Sequence, residues 1–153
     1  MQFQNTIAYA TAQADGGGLS LTNDTWTKLP FTPTLIVSKN IVTVGTDFQL
    51  KVKQTGVYWV DFSFIADSGD SKNYFIDPYI NDSVFGSTGQ GNRIQFFQQP
   101  TTQKYEVSTN GLFNLTRDDV IEWRIYTSVA SSTDFFVRNI KMTMLNLQQI
   151  GLH

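Results

Sequence analysis

The apolar positions of this chain recur at every second residue, which is the spacing of a half-buried strand rather than of a helix. The clearest stretch is Gly56-Val57-Tyr58-Trp59-Val60-Asp61-Phe62-Ser63-Phe64-Ile65-Ala66, in which Tyr58, Val60, Phe62, Phe64 and Ala66 share one face. That face is predicted to be core. The opposite face carries Trp59, Asp61, Ser63 and Ile65, a mixture expected where another chain or a loop partly covers a sheet. Residues 120–126 repeat the pattern, with Ile121, Trp123 and Ile125 on one side and Glu122 and Arg124 on the other. Residues 135–147 are long for one strand, and their apolar phase slips at Asn139, from Phe135 and Val137 to Ile140, Met142 and Met144. A β-bulge produces such a slip.

Other segments are weaker. Ile7, Tyr9 and Thr11 indicate one short strand, which Asp15-Gly16-Gly17-Gly18 ends as a flexible turn or loop. Residues 26–31 form a short extended piece anchored by Trp26, Leu29 and Phe31, where Pro30 and Pro33 exclude a regular central ladder. Residues 35–44 and 48–52 read as two strands or one bent pair, and Pro78 assigns the strand over 74–80 to a sheet edge. A long turn region is expected over 81–92, a short strand over 94–97, a connection over 98–102 and a strand over 104–109. Asn110-Gly111 reads as a turn because both residues accept positive φ, Arg117-Asp118-Asp119 reads as another, and 128–133 as a loop. Eight to ten closely spaced strands without a convincing helix predict an all-β fold: an antiparallel two-sheet jelly-roll sandwich of about ten strands, in one domain over 1–153.

Composition narrows the function. Val, Ile, Thr, Phe, Tyr and Trp make up 61 of the 153 residues, and Ser, Thr, Asn and Gln make up 51, whereas Asp, Glu, Lys and Arg total only 24. There is no Cys, and the one His is His153 at the end, so disulfide scaffolds, Cys-based zinc sites and Cys or internal-His nucleophiles are excluded. A net charge of -2 supplies no basic footprint for nucleic acid, and no run of 18 apolar residues indicates membrane insertion. The start, Met1-Gln2-Phe3-Gln4-Asn5, lacks the charged and apolar regions of a secretory signal, so the three sequons at Asn23, Asn81 and Asn114 are expected to carry nothing.

Of the 21 aromatics, some are expected at a subunit interface. Trp59 leads, because Tyr58, Val60 and Phe62 already fill the inward face; the alternative is that it lies under its own N-terminal segment. Asp61 shares its face, and Tyr126 and Phe135 follow by the same reasoning. Asp67, Asp70, Asp77 and Asp82 fall in or beside turns and could be weighed as calcium ligands, but their spacing does not match an EF-hand and Asp is an ordinary turn residue. Asp118 and Asp119 are adjacent, so they point apart and make a turn rather than an acid and base pair. Glycoside hydrolysis would need two inward carboxyl groups, and only Glu106, Glu122 and scattered Asp are available. The glycines at 86, 89 and 91 precede no strand-to-helix unit with a Lys and read as mobile tips; no cofactor or metal is expected.

With its Gly, aromatics and alternating hydrophobics, Gly56-Val57-Tyr58-Trp59-Val60-Asp61-Phe62 resembles the central strand of the C1q and tumour-necrosis-factor-like superfamily. Trp26-Thr27-Lys28-Leu29-Pro30-Phe31 is similar to the family's early strand, Leu115-Thr116-Arg117-Asp118-Asp119-Val120-Ile121-Glu122-Trp123 to its glycine-aspartate hairpin, and 136–145 to its closing strand. Asp118 and Asn139 stand where the family usually has Gly, and Asp and Asn best replace Gly in such backbone states. The resemblance spans 3–150. It implies a ten-stranded jelly roll, a homotrimer joined through aromatic-rich sheet faces, and distal loops free for recognition. The Thr, Asn and Gln richness, the missing Cys and the absence of a leader resemble phage structural proteins, so the expected role is a non-enzymatic virion protein, made in the host cytoplasm: a head fibre, tail-fibre knob or capsid decoration. Its partners would be other virion proteins or a host-surface receptor or glycan. The alternative is a C1q-like bacterial or host ligand-binding module of lectin type.

Overall fold

All elements in the computed structural model, which describes residues 7–68, 72–84, 94–98, 104–127 and 135–147, are β-strands. They are β1 Tyr9–Gly18, β2 Thr25–Thr27, β3 Thr34–Lys39, β4 Ile41–Thr43, β5 Gln49–Val52, β6 Gly56–Ser68, β7 Lys72–Ile80, β8 Ser83–Val84, β9 Ile94–Gln98, β10 Lys104–Leu115, β11 Val120–Thr127 and β12 Phe135–Asn146. One sheet runs β10-β6-β12-β1-β3; the other runs β4-β5-β11-β7-β8, with β2 beside β11 and β9 beside β7. Because β5 and β2 pair with different stretches of β11, and β8 and β9 with different stretches of β7, the twelve strands occupy ten positions, five in each layer. All pairings are antiparallel, as the predicted jelly-roll sandwich requires.

The core lies between the layers and is built by the phases read from the sequence. Tyr58, Val60, Phe62, Phe64 and Ala66 of β6 are buried and meet Ile121, Trp123 and Ile125 of β11. Trp123 stacks on Phe62 with ring centroids 5.1 Å apart and takes the edge of Phe113 at 6.1 Å, so these aromatics bridge the two sheets. Each such ring, fully removed from water, contributes about 1.5–3 kcal/mol. The slip in β12 is a bulge: Arg138 pairs with Ile65 and Lys141 with Ser63, which leaves one extra residue on β12 at Asn139 and Ile140. Asn139 has φ of +52°, and Met142 and Met144 thereby return to the core.

Three local signals were overridden by pairing. Asp15 to Gly18 is not a loop but the end of β1, paired to β12 through Gly16–Arg138, Gly17–Val137 and Gly18–Phe136. Gly16 is needed there because its φ is +83° and a Cβ would lie 1.9 Å from the Val137 carbonyl oxygen; the glycine permits close approach rather than looseness. Asn110-Gly111 does not turn, since β10 runs straight through it with twelve consecutive partners on β6. Pro78 is not on an edge strand: β7 lies between β11 and the β8 and β9 pair. On that second side β9 pairs only as far as Ile76 and β8 begins at Tyr79, so among the described residues no strand on that side asks the proline for an N–H. The region 81–92 also contributes β8, and 35–44 divides at Asn40, φ +58°, into β3 of one sheet and β4 of the other. The connections expected at 99–102 and 128–133, Asp70, the glycines at 86, 89 and 91, and His153 lie outside the described residues.

Candidate functional site

The outward side of the five-stranded sheet is set by register. Trp59 on β6 pairs with Leu112 on β10 and Leu145 on β12, and Leu145 pairs in turn with Tyr9 on β1. Paired residues share a face, so Leu112, Trp59, Leu145 and Tyr9 form one continuous row across four strands. Leu112 is 56% exposed, Trp59 37% and Tyr9 38%, and Leu145 is half-buried. The next row is Asn110, Asp61, Thr143, Thr11 and Val37, polar except at the exposed Val37. Thr11 and Thr143 hydroxyls lie 3.4 Å apart there. This face is an apolar belt with a polar border, the composition of a protein contact surface.

The outward side of the seven-stranded sheet is different in kind. Glu122, Arg124 and Tyr126 of β11 lie opposite Tyr79, Asp77 and Phe75 of β7. Arg124 donates from Nη2 to Glu122 Oε2 at 3.0 Å and to Asp82 Oδ1 at 2.7 Å, and its guanidinium sits 4.1 Å above the Tyr79 ring. Burial works against the Arg124 charge, but the hydrogen bond and charge of Glu122, with smaller help from Tyr79 and Asp82, outweigh it and hold the group above its ordinary value. Gln49 on β5 donates to Glu122 Oε2 at 3.0 Å, and Lys28 Nζ lies 3.5 Å from Asp82 Oδ1. Further along, Tyr126 donates to Asp24 Oδ1 at 2.8 Å and its ring lies 4.9 Å from that of Trp26.

The four residues expected at an interface are therefore not brought together. Trp59 and Asp61 share the belt face, and Tyr126 lies on the opposite sheet, half-buried and tied to Asp24 and Trp26. Phe135 is a correction: it is 0% exposed within one chain and packs 4.7 Å from Tyr74 across the sandwich, so its ring is core and has no area left for a contact. Periodicity alone could not separate these cases, because a strand's inward face depends on which sheet lies beneath it. For Tyr9 and Leu112 the outward direction, though not membership of the belt, had a readable signal. Tyr9 alternates with the buried Ala8, Ala10 and Ala12, and Leu112 is out of phase with the buried Val107, Thr109, Phe113 and Leu115 once β10 is read without a break at Asn110.

The acids scatter. Among the described residues no three metal-ligating side chains converge; Asp67 is on β6 in the other sheet, 3.8 Å from Arg138, and Asp82 is held by Arg124 and Lys28. Glu106 is exposed beside a shallow cavity of about 170 Å³ with Ser63, Ile65 and Asn139. Glu122 is buried and lines a cavity of about 350 Å³ with Asp82. These two carboxylates bind one guanidinium, whereas glycoside hydrolysis sets two carboxyl groups on either side of a scissile bond, about 5 or 9 Å apart. Asp118 and Asp119 make the turn expected of them: Asp119 Oδ2 accepts from the Thr116 N–H at 2.8 Å.

No protein-family model matches the chain, and no curated protein is similar to it in sequence. Solved structures are similar in fold. PRD1 vertex protein P5 superposes with a TM-score of 0.59 at 12% identity, over 92% of this chain and 97% of that one. Eiger TNF from S. frugiperda gives 0.60 at 10%, over 95% and 96%. The globular domain of zebrafish complement 1qA gives 0.57 at 8%, over 92% and 97%. The fold is the C1q and tumour-necrosis-factor jelly roll. In this jelly roll Asp118 and Asn139, the two positions where the family usually has Gly, both take positive φ, +75° and +52°. Asp118 Oδ1 accepts a 2.6 Å hydrogen bond from Lys53 Nζ, which lowers its carboxyl from the ordinary range. No helix among the described residues of the jelly roll is long and apolar enough to cross a membrane.

Proposed function

We propose that this jelly roll is a non-enzymatic virion structural protein that assembles as a homotrimer through the outer face of its five-stranded sheet and uses its remaining surface for attachment or recognition. The observation that carries the reading is the row Leu112, Trp59, Leu145 and Tyr9, an apolar belt that is left partly exposed among the described residues. Exposed apolar area of this kind is stabilised by association, and a central Trp is a favoured anchor. A threefold arrangement follows from the family resemblance, and a virion setting is supported by the likeness to a phage vertex protein and by the weakly charged polar exterior. Three copies would multiply weak contacts into avidity. The second reading, a C1q-like ligand-binding module, is favoured by the comparable likeness to the complement 1qA domain. Neighbouring capsid or tail genes would favour the first reading, and an upstream stalk the second.

Light scattering over a range of concentrations tests the assembly. A mass three times that of the 17.3 kDa chain is expected, with Trp59→Asp shifting it towards the monomer. A monomer at all concentrations, or a trimer indifferent to Trp59→Asp, overturns the use of this face.

A further inference from the structure

The belt face is charged as well as apolar, and its charges are sorted by strand. On β10 and β6 the outward charged residues are Asp61, Asp67 and Glu106 against Lys104; on β12, β1 and β3 they are Lys39, Arg138 and Lys141 against Asp15. One half of the sheet face is therefore acidic and the other basic. Arg138 reaches Asp67 at 3.8 Å, whereas Asp61, Glu106 and Lys141 take part in no ion pair among the described residues. The halves differ in relief too. The acidic half ends at the edge strand β10, where Glu106 and Leu112 stand exposed, and the basic half is hollowed by a cavity of about 550 Å³ lined in part by Gln13, Asp15, Thr34, Ile36, Asn139 and Lys141.

The apolar row crosses both halves, with Leu112 and Trp59 in the acidic one and Leu145 and Tyr9 in the basic one. Covering the row takes the charges beside it out of water, and each then needs an opposite charge, because an unpaired one in a dry contact is strongly destabilising. A foreign acidic or basic surface satisfies one half and repels the other. A second copy of this chain satisfies both, since its two halves carry the two signs in the same proportions. We propose that neighbouring copies dock head to tail, the acidic β10–β6 half of one on the basic β12–β1–β3 half of the next, so that apolar row meets apolar row and acid meets base. Joining two different patches in this way is what a ring of three requires. The inference rests on the trimer reading above and adds to it the residues that set the specificity and direction of the contact.

Charge reversal in the full chain tests the pairing, read as mass against concentration by light scattering. Asp61→Lys with Glu106→Lys makes both halves basic, and Lys39→Glu with Lys141→Glu makes both acidic. Each double reversal is expected to raise the concentration for half-assembly by about a hundredfold or more, because like charges then face each other across the contact. All four reversals in one chain exchange the two halves and are expected to restore the trimer. The four sites are exposed, so each double variant should keep the strand spectrum and melt as the Trp59→Asp chain does. Salt supplies a reading that needs no variant: raising sodium chloride should weaken wild-type assembly by about tenfold through screening. A trimer indifferent to either double reversal, assembly that salt leaves unchanged, or failure of the four reversals together to restore the trimer overturns the pairing and leaves the trimer reading standing. A wild-type chain that is monomeric at every concentration overturns both.

Discussion

The two sheets share one core and yet have outer faces of opposite kinds. On the five-stranded side, Leu112, Trp59 and Tyr9 stand in a row that is left partly exposed among the described residues. On the seven-stranded side, Arg124 is engaged by Glu122, Asp82 and the Tyr79 ring, and Tyr126 by Asp24 and Trp26. The difference follows from what each kind of surface costs. A partly buried charge or hydroxyl must find its partner within the chain, because leaving it without one costs more than most single contacts return. Apolar area loses less while exposed and gains by covering itself with whatever arrives, so it can be kept for a second molecule.

The largest expected effect breaks the polar side. Arg124→Ala strands the buried Glu122 carboxylate, which should cost about 3 kcal/mol and lower the melting midpoint by on the order of 10 °C, with the mass in solution unchanged. Trp59→Asp is the converse. It should weaken association by about 2–3 kcal/mol, read as a concentration-dependent fall in mass, while the single chain keeps its strand spectrum. If Arg124→Ala dissociated the assembly and Trp59→Asp did not, the roles of the two faces would be reversed. Gly16→Ala is expected to cost about 2 kcal/mol, measured by urea unfolding, because a side chain at φ +83° is strained and its Cβ would meet the Val137 carbonyl. Since Gly16 pairs with Arg138 in the belt sheet, this change should also perturb assembly, whereas the smallest change, in the turns beyond the ends of β5 and β10, should not.

That smallest change concerns pH. The carboxyl of Asp118 is lowered by its hydrogen bond from Lys53, so its contribution is fully present above the ordinary Asp value of about 3.9 and is lost as pH falls through the lower folded value. Lys53→Met should therefore lower stability slightly at neutral pH, leave it unchanged below the folded value of Asp118, and so flatten this part of the acid limb of the stability curve. The effect is slight because the pair is exposed to solvent.

The legible parts of the fold were those in which a residue's neighbours in sequence decide its environment. The alternation through Tyr58, Val60, Phe62 and Phe64 marked the core face of β6, the phase slip at Asn139 marked the bulge, and Asp118 in place of Gly marked a left-handed turn residue. Trp59 was legible as outward-facing for the same reason. The belt was not, because its membership is a matter of register: Leu112 and Tyr9 lie far from Trp59 in the chain and join it only through the β10-β6-β12-β1 ladder. The Asp82, Arg124 and Glu122 cluster depends equally on how the turn after β7 folds back beside β11.

What the sequence determined alone was therefore the strands, their inward phases and the bulge at Asn139, because these rest on a period of two; the left-handed states of Asp118 and Asn139 were expected only through the family resemblance. Tertiary structure decided that Asn110-Gly111 runs straight, that Pro78 sits inside a sheet, that Phe135 is core and that one outer face carries an apolar belt while the other is paired. Each of these is settled by strands distant in the chain, whose hydrogen bonds and packing outweigh a local preference of about 1 kcal/mol.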